Sequence, residues 1–141
     1  MKKPAQQKLI HDFMAKSREK KLPITPQKIE IFTYIASTSS HPTAKKIWLE
    51  VREIFPSISF ATIYKNLKNF KKLGFLRATE MSDGTTRYEV DIEPHHHLIN
   101  LDTQKITDIN ITEIGNIVIP EFAKKYELEN IQVNFFVRNK K

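Results

Sequence analysis

The spacing of apolar residues changes period near Gly74, and that change constrains the fold more than any other feature of the chain. Before it, apolar side chains recur at helical spacing; after it, they alternate. A first helix from about Gln6 to Lys20 carries Leu9, Ile10, Phe13 and Met14 on one face, with a basic rim of Lys8, Lys16, Arg18, Lys20 and Lys21; Pro23 ends it. Thr25-Pro26 predicts an N-cap with proline at the first helical position, followed by Ile29, Phe32 and Ile35; the serine-rich run from Ser37 to Ser40 stops this helix. Thr43 predicts the cap of a third helix with a buried face of Ile47, Val51 and Ile54, and Pro56 lies past its end. Ser57 or Ser59 caps a fourth helix reaching about Leu73, with Ile63, Leu67 and Phe70 on one face and Gly74 as its stop. Two alternating runs, Leu76–Met81 and Thr86–Val90, then flank Ser82-Asp83-Gly84-Thr85. Asp-Gly between such runs is a strong hairpin signal. Helices closed by a hairpin form the winged helix-turn-helix pattern.

The remainder predicts a second, smaller unit. Residues 91–94, Asp-Ile-Glu-Pro, form a linker; residues 1–90 precede it as one domain and residues 95–141 follow as another. His97–Leu101 and Lys105–Ile109 predict strands around Asp102-Thr103-Gln104, a helix is expected within Glu113–Tyr126, and Asn130–Arg138 closes as a strand. In that strand Ile131, Val133, Phe135 and Val137 alternate with Gln132, Asn134 and Phe136, so one face is almost wholly apolar. A domain of about 45 residues is too small to bury such a face alone, so pairing with a second copy is a physical expectation. The fold class is therefore α+β: an N-terminal winged helix and a small C-terminal α/β dimerisation domain.

Charge divides along the same line. Residues 1–90 carry 17 Lys/Arg against 8 Asp/Glu, whereas residues 91–141 carry 6 against 8. A basic first part beside a slightly acidic second part points to a polyanion-binding module. The chain has no cysteine, which removes disulfides, thiolate catalysis and thiolate metal sites and fits a reducing cytoplasm. No apolar run approaches the roughly 20 residues of a membrane span, so no membrane partner is expected.

Two constellations carry chemistry. On the fourth helix, Ser59, Thr62, Tyr64, Lys65, Lys68 and Asn69 fall outside the apolar stripe, and Lys71, Lys72, Arg77 and Arg87 extend the positive surface toward the hairpin. Lysines neutralise phosphates, while hydroxyl, amide and tyrosine side chains meet base edges and thymine methyls in a major groove. The second is His95-His96-His97. In an extended segment His95 and His97 point to one side and His96 to the other, so two imidazoles can share an ion if a further ligand comes from elsewhere. His41, Glu89 and Asp108, taken singly, read as surface residues, and no spacing rule ties them to the triplet.

The chain resembles the ferric uptake regulator superfamily, which includes the peroxide-response regulators. The resemblance spans nearly the whole length. It is carried in order by Ile24-Thr25-Pro26-Gln27-Lys28, His41-Pro42-Thr43-Ala44, Ala61-Thr62-Ile63-Tyr64-Lys65-Asn66-Leu67, Gly74-Phe75-Leu76, Arg87-Tyr88-Glu89 and His95-His96-His97-Leu98-Ile99. It implies a homodimeric, cytoplasmic repressor that binds a palindromic operator on double-stranded DNA and is not an enzyme. It further implies a regulatory ion, Fe²⁺ or Mn²⁺ with Zn²⁺ as an in vitro substitute, held by His41, Glu89, His95, His97 and Asp108. His41 and His95 would then be the candidates for oxidation by peroxide.

Departures from the family pattern matter as well. Many relatives hold a structural zinc with two Cys-x-x-Cys pairs. Here the first pair aligns with Asn100 and Thr103 and the second is missing, so no structural zinc is expected. A further histidine site is incomplete, with His96 but no histidine beyond residue 97. Position 89 is Glu, as is usual in iron-sensing members, whereas Tyr64-Lys65-Asn66-Leu67 is closer to the peroxide-responsive version. The resemblance thus implies a peroxide-responsive repressor, with a strictly iron-sensing repressor or a winged-helix regulator controlled without metal as alternatives. A two-histidine, one-carboxylate iron enzyme has the right donors, but no motif for a cosubstrate accompanies them.

Overall fold

A computed structural model describes residues 3–90, 95–128 and 131–141, with side chains from residue 6 onward; the expected 91–94 linker and the first residue of the expected closing strand, Asn130, lie outside the described residues. The chain separates into two compact units, Met1–Ile92 and Glu93–Lys141. It is α+β; the described residues form four α-helices, a two-stranded sheet and a three-stranded sheet.

In the first unit, α1 (Lys3–Glu19), α2 (Pro26–Ser37), α3 (Ala44–Val51) and α4 (Phe60–Lys72) precede a hairpin of β1 (Leu76–Glu80) and β2 (Thr86–Val90). Local signals set the helix ends. Thr25, Thr43 and Ser59 each accept a backbone N–H three residues on, from Lys28, Lys46 and Thr62, satisfying donors that a helix start leaves orphaned. After α4, Gly74 takes a φ of +83° that side chains resist. At the hairpin tip Gly84 has φ +86°, and the Asp83 carboxylate accepts from both the Thr85 amide and hydroxyl. Those bonds, the hydroxyl's first, hold the Asp83 carboxyl below its ordinary pKa. The third helix is shorter than its apolar spacing predicts. It stops at Val51, so Ile54, expected on the buried face, falls in the following turn and is 58% exposed.

Four phenylalanines tie these elements together. Phe13 of α1 stacks on Phe32 of α2 at 4.3 Å and meets Phe70 of α4 and Phe75 edge-on at 5.2 and 5.0 Å. Ile31, Ile35, Ile47, Ile63 and Leu67 complete a core from which water is excluded. Burying each such side chain contributes roughly 1.5–3 kcal/mol.

In the second unit, β3 (His95–Asn100) lies between β4 (Ile106–Asn110), antiparallel to it, and β5 (Asn134–Val137), parallel to it. The closing strand is shorter than expected. The segment expected to hold an α-helix, Glu113–Tyr126, instead forms two short 3-10 turns, Ile111–Ile114 and Glu121–Lys125. Between them Gly115 has φ +73°, Ile117, Val118 and Ile119 are β-branched, and Pro120 lacks an amide donor, so no continuous helical ladder spans the region. Among the described residues no helix is long and apolar enough to cross a membrane.

Candidate metal centre and nucleic-acid face

The sheet register of the second unit assembles a set of metal-type donors. Asp108 stands directly opposite His97 on one side of β3, and Asn134 stands opposite it on the other. His95 lies two residues before His97 and so shares its face. The Nε2 atoms of His95 and His97 both approach the same Asp108 oxygen, Oδ1, each at 3.5 Å. The two rings meet edge to face, 4.9 Å between centroids. His97 is fully buried, His95 is mostly covered, and Asp108 is half exposed.

The opposite nitrogen of His97 is also engaged. Asn134 Oδ1 lies 3.3 Å from its Nδ1, and Gln132 Nε2 lies 2.8 Å away. The Gln132 amide nitrogen can only donate to this atom and the Asn134 amide oxygen can only accept from it, so the two neighbours favour opposite tautomers; such outer partners orient histidine ligands generally. His96 has a different task. Buried on the other face, its Nδ1 accepts the Val133 N–H at 2.8 Å, and His97 N–H donates to Val133 O at 3.1 Å, stitching β3 to the approach of β5.

The first unit brings together the two remaining residues named from the sequence. His41 Nε2 and Glu89 Oε2 lie 3.0 Å apart, both largely buried. His41 precedes the α3 cap, and Glu89 sits on β2, where Arg77 of β1 is its cross-strand partner.

These donors suit a divalent ion. All are imidazole nitrogen or carboxylate oxygen, a set that takes Fe²⁺, Mn²⁺ or Zn²⁺. Two ligands each about 2.1 Å from a tetrahedral ion lie roughly 3.4 Å apart, close to the 3.5 Å between each Nε2 and Asp108 Oδ1.

The residues singled out for DNA occupy α4 and the hairpin. Tyr64, Lys65, Lys68 and Asn69 are exposed on α4. Ser59 is exposed but serves as the cap, bonding both the Thr62 amide and hydroxyl, and Thr62 is half-buried. Arg77 and Arg87 are half-buried, and Arg87 Nη1 donates to the His41 carbonyl at 3.2 Å. Beneath this face, burial, and after it the Tyr64 phenol, push the Tyr88 hydroxyl above the usual tyrosine pKa. Sequence reasoning had not singled out Gln132, Asn134 or the inward bond of Arg87 as parts of the site. Two amides on alternate positions of the last strand were the visible signal for the first pair.

A helical hairpin-closed unit and a small sheet bearing two histidines and a carboxylate define a class of two-unit α+β proteins, and similarity identifies which class. The ferric uptake regulator family model matches residues 19–136. The peroxide-responsive repressor PerR of Staphylococcus aureus (strain Mu50) is 33% identical over 108 residues, covering 77% of this chain and 73% of that protein. The solved structure of the Helicobacter pylori ferric uptake regulator Fur, described as having three functional metal binding sites, matches with a TM-score of 0.77 at 23% identity over 96% of this chain and 91% of that one. The Campylobacter jejuni peroxide stress regulator matches with a TM-score of 0.69 at 26% identity over 91% and 95% of the two chains. The chain belongs to the ferric uptake regulator family.

Proposed function

We propose that this family member is a cytoplasmic, homodimeric, metal-dependent repressor. In this reading residues 1–90 bind DNA and residues 95–141 dimerise and sense metal. The observation that carries it is the convergence of His95 Nε2 and His97 Nε2 on one Asp108 oxygen. His95, His97 and Asp108 would hold Fe²⁺ or Mn²⁺, with His41 and Glu89 as further ligands, an assignment that the family resemblance supports. Bound metal supplies a multidentate positive centre that favours whichever chain conformation offers it most ligands; a ligand can shift a population only through such differential affinity. Asn134 and Gln132 face the opposite ring nitrogen of His97 and so orient its imidazole. Exposed Lys65, Lys68, Tyr64 and Asn69 would face the major groove, with Ser59, Thr62, Arg77 and Arg87 at its margins. Ile117, Val118, Phe122, Tyr126, Phe135 and Phe136, all exposed in a single chain, support a dimer interface in the second unit.

Within the family we favour the peroxide-responsive type, as the Staphylococcus aureus relative is named. His41 or His95 would gain one oxygen atom from hydrogen peroxide, which leaves as water, and DNA would be released. Glu89, the residue usual in iron-sensing members, keeps strict iron sensing as the second reading.

Selection from a random-sequence duplex pool tests the repressor reading. With Mn²⁺ the protein should enrich a palindrome, and recovery should collapse in chelator. Equal recovery in both conditions refutes metal control, and no enrichment in either refutes operator binding. Mass spectrometry of the Fe²⁺-loaded protein after peroxide separates the two subtypes. A gain of one oxygen on His41 or His95 is expected, and its absence leaves iron sensing.

A further inference from the structure

His41 holds a backbone conformation that residues with a side chain rarely adopt. Its φ is +52°, in the left-handed region where the Cβ crowds the backbone. Such strain persists only where neighbours over-determine it. Here the neighbours come from β2. Thr43 pairs with Arg87 as an isolated antiparallel bridge, and the Tyr88 N–H donates to the Pro42 carbonyl at 3.0 Å. The segment from His41 to Thr43 thus lies along the hairpin.

Two side chains of β2 then grip His41 at separate points. Arg87 and Glu89 are two residues apart and so project from the same face of the strand. Arg87 Nη1 donates to the His41 carbonyl at 3.2 Å, while Glu89 Oε2 meets the His41 Nε2 at 3.0 Å. The guanidinium is half-buried, and its Nε is buried with no hydrogen-bond partner among the described residues. A cation turned inward at such a desolvation cost is poorly placed for a phosphate.

We infer that Arg87 is a positioning residue for His41: it holds the carbonyl of the left-handed residue so that the imidazole is presented beside Glu89. This rests on the reading of His41 as a metal ligand. Arg87, grouped by sequence pattern with the DNA-facing cations, then serves the ion first. It also joins the wing hairpin mechanically to the loop that carries His41.

A double-mutant cycle on Mn²⁺ affinity tests this, with thermal melts to verify folding. His41→Ala should weaken Mn²⁺ binding at least tenfold. Arg87→Gln should weaken it about fivefold when His41 is present and less than about twofold when His41 is already alanine, as expected for residues that act through one another. Arg87→Lys, which keeps a donor but loses the planar fork, should recover part of the affinity. In metal-free protein, Arg87→Gln should also speed hydrogen exchange of the Tyr88 amide, whose bond to Pro42 depends on the same loop, and Arg87→Lys should do so less. Equal losses in both backgrounds, or no change in affinity and exchange on Arg87→Gln, overturns the role of Arg87 while leaving His41 a ligand. Unchanged Mn²⁺ affinity on His41→Ala overturns the reading of His41 as a ligand, on which this inference rests.

Discussion

The two units of this chain solve the problem of stability in opposite ways. The first, Met1–Ile92, contains the whole of the hydrophobic cluster, from Phe13 to Val90. The second, Glu93–Lys141, has Ile99 and Ile106 as its only buried apolar side chains among the described residues, and it buries two histidines beside them. Among the described residues, eight of the eleven exposed large apolar side chains belong to this smaller unit. A sheet that buries as many imidazoles as aliphatic side chains gains little from the hydrophobic effect. Anything that binds its folded form would add to its stability. The contrast separates a unit that carries its own core from one that leaves most of its large apolar side chains outside, and marginal stability is what lets an ion or a partner shift a population.

The sharpest way to break this comparison is to remove the first unit's own support. Phe13→Ala deletes one ring of the four-phenylalanine cluster and should cost about 3–5 kcal/mol. Denaturant unfolding followed by the fluorescence of Trp48, the chain's one tryptophan, would measure it. A loss under about 1 kcal/mol would mean that the cluster is not what holds the helices.

The next effect belongs to the second unit. Mn²⁺ at a hundred times its dissociation constant should raise the protection of β3 amides by about 2.7 kcal/mol. His97→Ala should abolish that gain, and hydrogen exchange at Ile99 would report it. An undiminished gain in the variant would remove His97 from the ligand set.

A smaller effect is expected at the apolar face. Phe135, 40% exposed in the single chain, should when changed to Glu weaken self-association about tenfold or more, roughly 1.4 kcal/mol, while leaving the Trp48-reported melt unmoved. Sedimentation at graded concentrations gives the dissociation constant. Unchanged association would place the interface elsewhere.

The same contrast explains what could be read from the sequence. The helices and hairpin of the first unit announce themselves through local chemistry: Thr25, Thr43 and Ser59 at caps, Gly74 and Gly84 where φ turns positive. None of those signals needs a distant partner. In the second unit the division of the triplet followed from strand period alone, and β3 and β4 were legible around their turn. The expected helix in Glu113–Tyr126 was not realised, because apolar spacing there competes with Gly115, Pro120 and three consecutive β-branched residues. Asp108 reaches the histidines only through the register of β4 on β3, and Asn134 only through a parallel pairing, both invisible to spacing rules. The pairing of His41 with Glu89 likewise depends on a left-handed residue docked against a strand far along the chain. The resemblance named Asp108, Glu89 and His41; local pattern alone did not.

The parallel pairing of β5 with β3 has a consequence in time. Asn134, opposite His97, leaves the ribosome only after β3, β4 and the whole crossover have been made. Until it arrives, His97 lacks the Asn134 amide beside its Nδ1, and His96 lacks the Val133 amide that pins the two strands together. A nascent chain can therefore pair β4 with β3, setting Asp108 opposite His97, before β5 completes the sheet. An ion met at that stage would find the donors without the two amides that later face His97 Nδ1.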